Sequence, residues 1–192
     1  MTIANRITVG RILLIPVFVG FALYYGESVQ DGTPLEWLRW AAVGTFVLAS
    51  VSDAFDGWVA RRFNQQSALG VVLDPIADKA LVLAAIITLS FAGWPVSLPI
   101  WFAVLVVARD AVIVLGCMLL KHLEYPVEVR PSLMGKAATA MLMVVLTWVM
   151  LQLPFLDYSV WIASFFIVVS GLEYVMRGIR YASWHPEGEK RN

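Results

Sequence analysis

Histidine and cysteine are scarce in this chain, with two of the first and one of the second in 192 residues. A single cysteine excludes an internal disulfide. With His122 and His185 in loop-like contexts, no cluster of soft metal ligands forms either. Cys117 reads as a small buried hydrophobe inside an apolar run. Charge is also sparse, at 15% of residues, against about 25% in an ordinary soluble domain. Fourteen basic and fourteen acidic residues cancel, so there is no cationic surplus to suggest nucleic acid. Internal repeats and low-complexity stretches are missing. So is a small-residue cleavage site after the first apolar segment, which therefore reads as retained. The period-two alternation of a membrane β-barrel is missing as well.

What the chain has is apolar length. It is 60% hydrophobic, with mean hydropathy +0.77. A membrane-crossing helix needs about 20 mostly apolar residues, and six segments qualify, at roughly 8–25, 37–60, 69–92, 95–120, 132–153 and 157–181. The expected fold is an all-α integral membrane protein of six transmembrane helices, forming one domain over 1–192 with a short polar tail at 184–192. Gly26 to Pro34 reads as a loop, and Gly93, Pro95, Pro99, Pro126, Pro131 and Pro154 mark further breaks. If the six spans alternate, thirteen of the fourteen basic residues gather at one side, with Arg39 alone on the other beside Glu27, Asp31, Glu36 and Asp157. By the positive-inside rule both termini then face the cytoplasm, in what reads as a bacterial inner membrane. Trp37, Trp40, Trp94, Trp101, Trp148, Trp161 and Trp184 lie near span ends, as interface anchors do.

Against this background four aspartates stand out. A carboxylate at membrane depth costs several kcal/mol by common scales and signals function by default. Asp53 and Asp56 are three residues apart near the end of the second span, and Asp74 and Asp78 four apart where the third begins. Each spacing puts a pair on one helix face. The short link between the spans allows antiparallel neighbours, so the active site is expected between helices 2 and 3, facing the cytoplasm. Four carboxylates would repel one another unless cations lie between them, and ligands that are all oxygen favour Mg²⁺ or Mn²⁺. Gly57, Ala60 and Gly70 either let a flat ligand approach the backbone or simply pack helices. Arg61 either holds a phosphate or is a cytoplasmic topology charge.

The order Asp53-x-x-Asp56-Gly57-x-x-Ala60-Arg61, eight residues, then Gly70-x-x-x-Asp74-x-x-x-Asp78 resembles the signature of the CDP-alcohol phosphotransferases, with every position filled. Asn5-x-Ile7-Thr8-x-x-Arg11 and Pro16 resemble the family's N-terminal segment. Ala108-Arg109-Asp110 and Gly135-Lys136-x-x-Thr139 resemble landmarks of the branch that makes phosphatidylglycerophosphate and cardiolipin. The resemblance implies a six-helix fold, commonly a homodimer in the lipid bilayer, and displacement of CMP from CDP-diacylglycerol by an alcohol. It also implies that Asp53, Asp56 and Asp74 ligate metal and that Asp78 is the general base, touching a second ion. Asp53, Asp56, Gly57, Ala60, Arg61 and Gly70 would lie near the cytidine diphosphate.

For the acceptor, Arg109, Arg130 and Lys136 are candidates to cradle a phosphate, with Thr8 and Arg11 bordering the same cavity. The alternative is that these cations only set topology. Adjacent helical residues point apart, so Arg109 and Asp110 are expected to serve different partners, whereas Glu173 and Arg177 are spaced to pair. Glycerol 3-phosphate is the first expected acceptor and phosphatidylglycerol, giving cardiolipin, the second; Asn64 to Gly70 and Arg130-Pro131-Ser132 resemble the cardiolipin branch. Two readings of other classes stand beside these. A cation transporter would tend to show repeats or paired broken helices, and a silent membrane scaffold would not need four aspartates at this spacing.

Overall fold

The computed structural model describes residues 3–63, 68–122 and 132–184, with side chains described over 8–52, 79–119 and 132–178 and at Ala77, His122 and Arg180. Those residues form six helices: α1 (Ile3–Gln30), α2 (Glu36–Phe63), α3 (Ala68–Phe91), α4 (Ile100–His122), α5 (Leu133–Met150) and α6 (Leu156–Trp184). No strand occurs among them. Continuous apolar runs favour this outcome, because a helix satisfies its own backbone hydrogen bonds without water. Thr8–Gln30, Ile100–Leu119, Leu133–Met150 and Leu156–Gly178 are each long and apolar enough to cross a membrane, while α3 offers the shorter apolar stretch Lys79–Phe91. The tail beyond Trp184, with His185, lies outside the described residues.

The chain divides into two compact units, Met1–Pro99 with Leu146–Pro154, and Ile100–Val145 with Phe155–Asn192. In the first unit α1 packs along α2 and α3, and α2 meets α3. The buried positions of α1, Thr8, Arg11, Phe18, Ala22 and Tyr25, recur at helical spacing and form one stripe. Leu38, Ala42, Phe46 and Ala49 form the matching stripe of α2, and the rings of Phe18 and Phe46 meet at 5.6 Å.

The far end of this unit departs from the sequence-based expectations. The helix runs through Gly26 to Gln30 and is closed by Gly32 at φ 73°, whose N–H bonds Val29 O while Thr33 N bonds Ser28 O. Gly26 is therefore not a loop residue. It lies buried against α3, where an added Cβ would come within 1.6 Å of the Ala92 carbonyl oxygen. Trp94 is not an interface anchor. It is 5% exposed, stacks edge-on against Tyr25 at 4.7 Å, and donates its indole N–H to Ala22 O at 2.9 Å. A buried indole needs such an acceptor, and the Ala22 carbonyl provides it. The fourth helix starts at Ile100 rather than near residue 95, because Pro95 and Pro99 hold that stretch out of helix. Arg39 is matched by Glu36 at 2.7 Å and lies over Trp40. Gly26→Ala is expected to cost about 1–3 kcal/mol by overpacking, read as a lower thermal midpoint in detergent; an unchanged midpoint would contradict the close approach of α1 and α3.

In the second unit α4 packs on α6. Phe102 and Val106 are buried on α4, as are Val160, Ala163, Ile167 and Ser170 on α6. Trp101 meets Trp161 at 5.1 Å at one end. Cys117 is half-buried rather than a core hydrophobe, because its Sγ pairs with the Tyr174 hydroxyl at 2.6 Å. His122 ends α4 instead of lying in a loop. Glu173 and Arg177 pair one turn apart, as expected from their spacing.

Candidate functional site

Asp53, Asp56, Gly57, Ala60 and Arg61 all fall in the last turns of α2, and Gly70, Asp74 and Asp78 in the first turns of α3. The backbones are helical there, so the three- and four-residue spacings do set each aspartate pair on one face. Helices α2 and α3 are packed neighbours. The side chains of these eight residues lie outside the described ones. Among the described residues no group of three or more His, Cys, Asp or Glu is arranged to hold a metal. Four aspartates would supply an all-oxygen donor set of the kind that suits a hard cation.

Thr8 and Arg11 are described, and both are buried, at 0% and 1% exposure. They share the stripe of α1 that packs on α2 and α3. Register places them further. Phe18 meets Phe46; Arg11 lies seven residues before the first and Asp53 seven after the second, in helices that run antiparallel. Seven residues are about 10 Å of helix, so Arg11 stands at the level of the aspartate motif. A fully buried guanidinium is rare unless charges compensate it.

The other candidate cations belong to the second unit. Arg109 extends the buried stripe of α4, and its side chain is 15% exposed. Its Nη1 donates to Asp110 Oδ1 and its Nη2 to Ser170 Oγ, both at 2.8 Å. The expectation that Arg109 and Asp110 serve separate partners is therefore wrong. The arginine side chain is long enough to fold back to its neighbour while bridging to α6, whatever the adjacent Cα–Cβ directions. The first turn of α5 comes to the same place. Ser132 caps it, accepting from Gly135 N at 2.9 Å. A Cβ on Gly135 would lie 3.2 Å from Ser132 Oγ and 3.6 Å from both Arg109 Nη2 and Ser170 Oγ. Lys136 follows in that turn and is exposed. Arg130 lies outside the described residues.

Sequence reasoning missed Ser170, and it named Ser132 only as part of a branch landmark. Ser132 carried a readable signal, a serine three residues before the N–H it caps. Ser170 had only its place, ten residues after Val160 on the buried stripe of α6.

Residues 1–170 match the family model described as CDP-alcohol phosphatidyltransferase. A Bacillus subtilis protein named CDP-diacylglycerol–glycerol-3-phosphate 3-phosphatidyltransferase is 35% identical over 184 residues, covering 88% of this chain and 91% of its own. The Escherichia coli K12 protein of that name is 36% identical over 150 residues, covering 77% and 76%. A Streptomyces coelicolor cardiolipin synthase (CMP-forming) is 34% identical over 166 residues, covering 85% and 70%. A family match across most of the chain, relatives at this identity, and a complete aspartate motif on two neighbouring helices lead to one conclusion: the chain belongs to the CDP-alcohol phosphatidyltransferase family.

Proposed function

We propose that the protein transfers the phosphatidyl group from CDP-diacylglycerol to glycerol 3-phosphate, releasing CMP and forming phosphatidylglycerophosphate. The observation that carries this reading is the complete eight-residue motif divided between α2 and α3, in a chain whose relatives bear this activity in their names. Asp53, Asp56, Asp74 and Asp78 hold Mg²⁺ or Mn²⁺. Bound there, a divalent cation neutralises diphosphate charge and makes CMP a better leaving group. Gly57, Ala60 and Gly70 leave room for the cytidine diphosphate, and Arg61 pairs with its phosphate. Asp78 accepts the proton of the acceptor hydroxyl as that oxygen attacks the phosphorus. Arg109 and Lys136, with Arg130, hold the acceptor phosphate. Thr8 and Arg11, both buried on α1, are assigned to the acceptor as well. Phosphatidylglycerol as acceptor is the second reading, favoured by the Streptomyces relative.

In this reading all six helices span an inner membrane as one domain, the chain pairs as a homodimer, and both termini and the aspartates face the cytoplasm. The lopsided basic residues support that orientation. Reporter tags at Asp31–Gly32 and after Asn192 should lie on opposite sides, with the second cytoplasmic; both tags on one side would refute six spans. Activity is tested by CMP release from CDP-diacylglycerol in detergent. Release should require both divalent cation and a glycerol-type acceptor, and silence with every alcohol tried would favour a transporter or scaffold.

A further inference from the structure

We propose that Ser170, together with Asp110, is a positioning residue for the acceptor: the two fix the Arg109 guanidinium so that its remaining edge receives the acceptor's phosphate. The inference rests on the proposed role of Arg109 and deepens it. Each terminal nitrogen of Arg109 has one bond, Nη1 to Asp110 and Nη2 to Ser170. Two such anchors on opposite corners hold a planar group against rotation. Its Nε is buried and has no hydrogen-bond partner among the described residues. A buried N–H without an acceptor is costly, and the edge that carries it is where a phosphate oxygen is accommodated.

Ser170 is 3% exposed, as buried as its apolar neighbours. Its partner choice is informative. Ser164, also buried on α6, returns its hydroxyl to Val160 O in its own helix at 2.7 Å. Ser170 Oγ instead meets the guanidinium on α4. Gly135 lies beside the same group: a Cβ there would crowd Ser132 Oγ and come into van der Waals contact with Arg109 Nη2 and Ser170 Oγ. Arginine loses considerable rotamer freedom when it binds a phosphate, and a guanidinium already held in place loses less. Removing the Ser170 hydroxyl should therefore weaken acceptor use without touching the chemistry.

The test uses the full chain in detergent with CDP-diacylglycerol, run with glycerol 3-phosphate and with phosphatidylglycerol. Ser170→Ala should raise KM for the true acceptor roughly three- to tenfold, leave kcat within about twofold, and leave KM for CDP-diacylglycerol unchanged. Ser170→Thr, which keeps the hydroxyl, should restore most of the loss. Ser170→Ala added to Arg109→Ala should cost nothing further, because the serine acts through the arginine. A normal acceptor KM in Ser170→Ala beside a raised one in Arg109→Ala overturns the positioning role and leaves the acceptor reading standing. Additive losses in the double variant, or a fall in thermal midpoint with both KM values changed, overturn it as well, in favour of simple packing. A normal acceptor KM in Arg109→Ala removes the acceptor reading itself, and this inference with it.

Discussion

Asp53→Asn and Asp74→Asn should each lower turnover by roughly three orders of magnitude or more. A bound divalent cation contributes several kcal/mol of charge stabilisation to phosphoryl chemistry, and each 1.4 kcal/mol is about tenfold in rate. Asparagine keeps the shape of aspartate and removes the charge that holds the cation. Both residues sit at helical positions that pair them with a second aspartate, Asp53 with Asp56 on α2 and Asp74 with Asp78 on α3. Chelation should abolish wild-type activity, and Mg²⁺ or Mn²⁺ should restore it. Stability should move the other way. Without cation four carboxylates held close together repel, so the asparagine variants should melt no lower than wild type in chelator. Near-normal turnover in either variant at limiting cation would sink the metal assignment.

Losing the base should look different from losing an acceptor contact. General-base catalysis typically contributes about a hundred- to ten-thousandfold, so Asp78→Asn should depress kcat by that order at saturating glycerol 3-phosphate. High acceptor concentration should not rescue it. Arg109→Ala should instead raise the acceptor KM, by roughly ten- to hundredfold for a charged hydrogen bond, and excess acceptor should recover much of the rate. Lys136 is exposed, and solvent screens such a charge, so Lys136→Ala should fall at or below the low end of that range. CDP-diacylglycerol affinity should change little in either cation variant. Normal acceptor KM in both would make these residues topology signals only.

Much of this architecture was legible because it rests on one-dimensional signals. Long apolar runs set six helices, and Pro and Gly set most of their ends. Spacing alone placed the aspartates in pairs on two consecutive helices. What sequence missed were events between elements. Gly26 read as a loop residue because glycine, glutamate and serine follow one another there; only the packing of α1 on Ala92 shows why a glycine is needed inside the helix. Trp94 read as an anchor because it lies near a span end, yet its indole partner is 72 residues away in sequence, on α1. Cα–Cβ directions alone speak against an Arg109–Asp110 pair, but a long side chain is not bound by them. Ser170 could not be singled out at all, since its hydrogen-bond partner is an arginine 61 residues earlier.

The central claim, phosphatidyl transfer to glycerol 3-phosphate, is tested most directly by following label from that acceptor into lipid. Purified protein in detergent with CDP-diacylglycerol and Mg²⁺ would receive radiolabelled glycerol 3-phosphate in one reaction and labelled phosphatidylglycerol in a parallel one, with CMP measured in both. The expected result is an acidic, chloroform-soluble product from glycerol 3-phosphate, one CMP released per label incorporated, and no product from Asp74→Asn. Cardiolipin formed from phosphatidylglycerol, with no lipid label from glycerol 3-phosphate, would contradict the assigned acceptor, and no CMP from either would contradict the transferase.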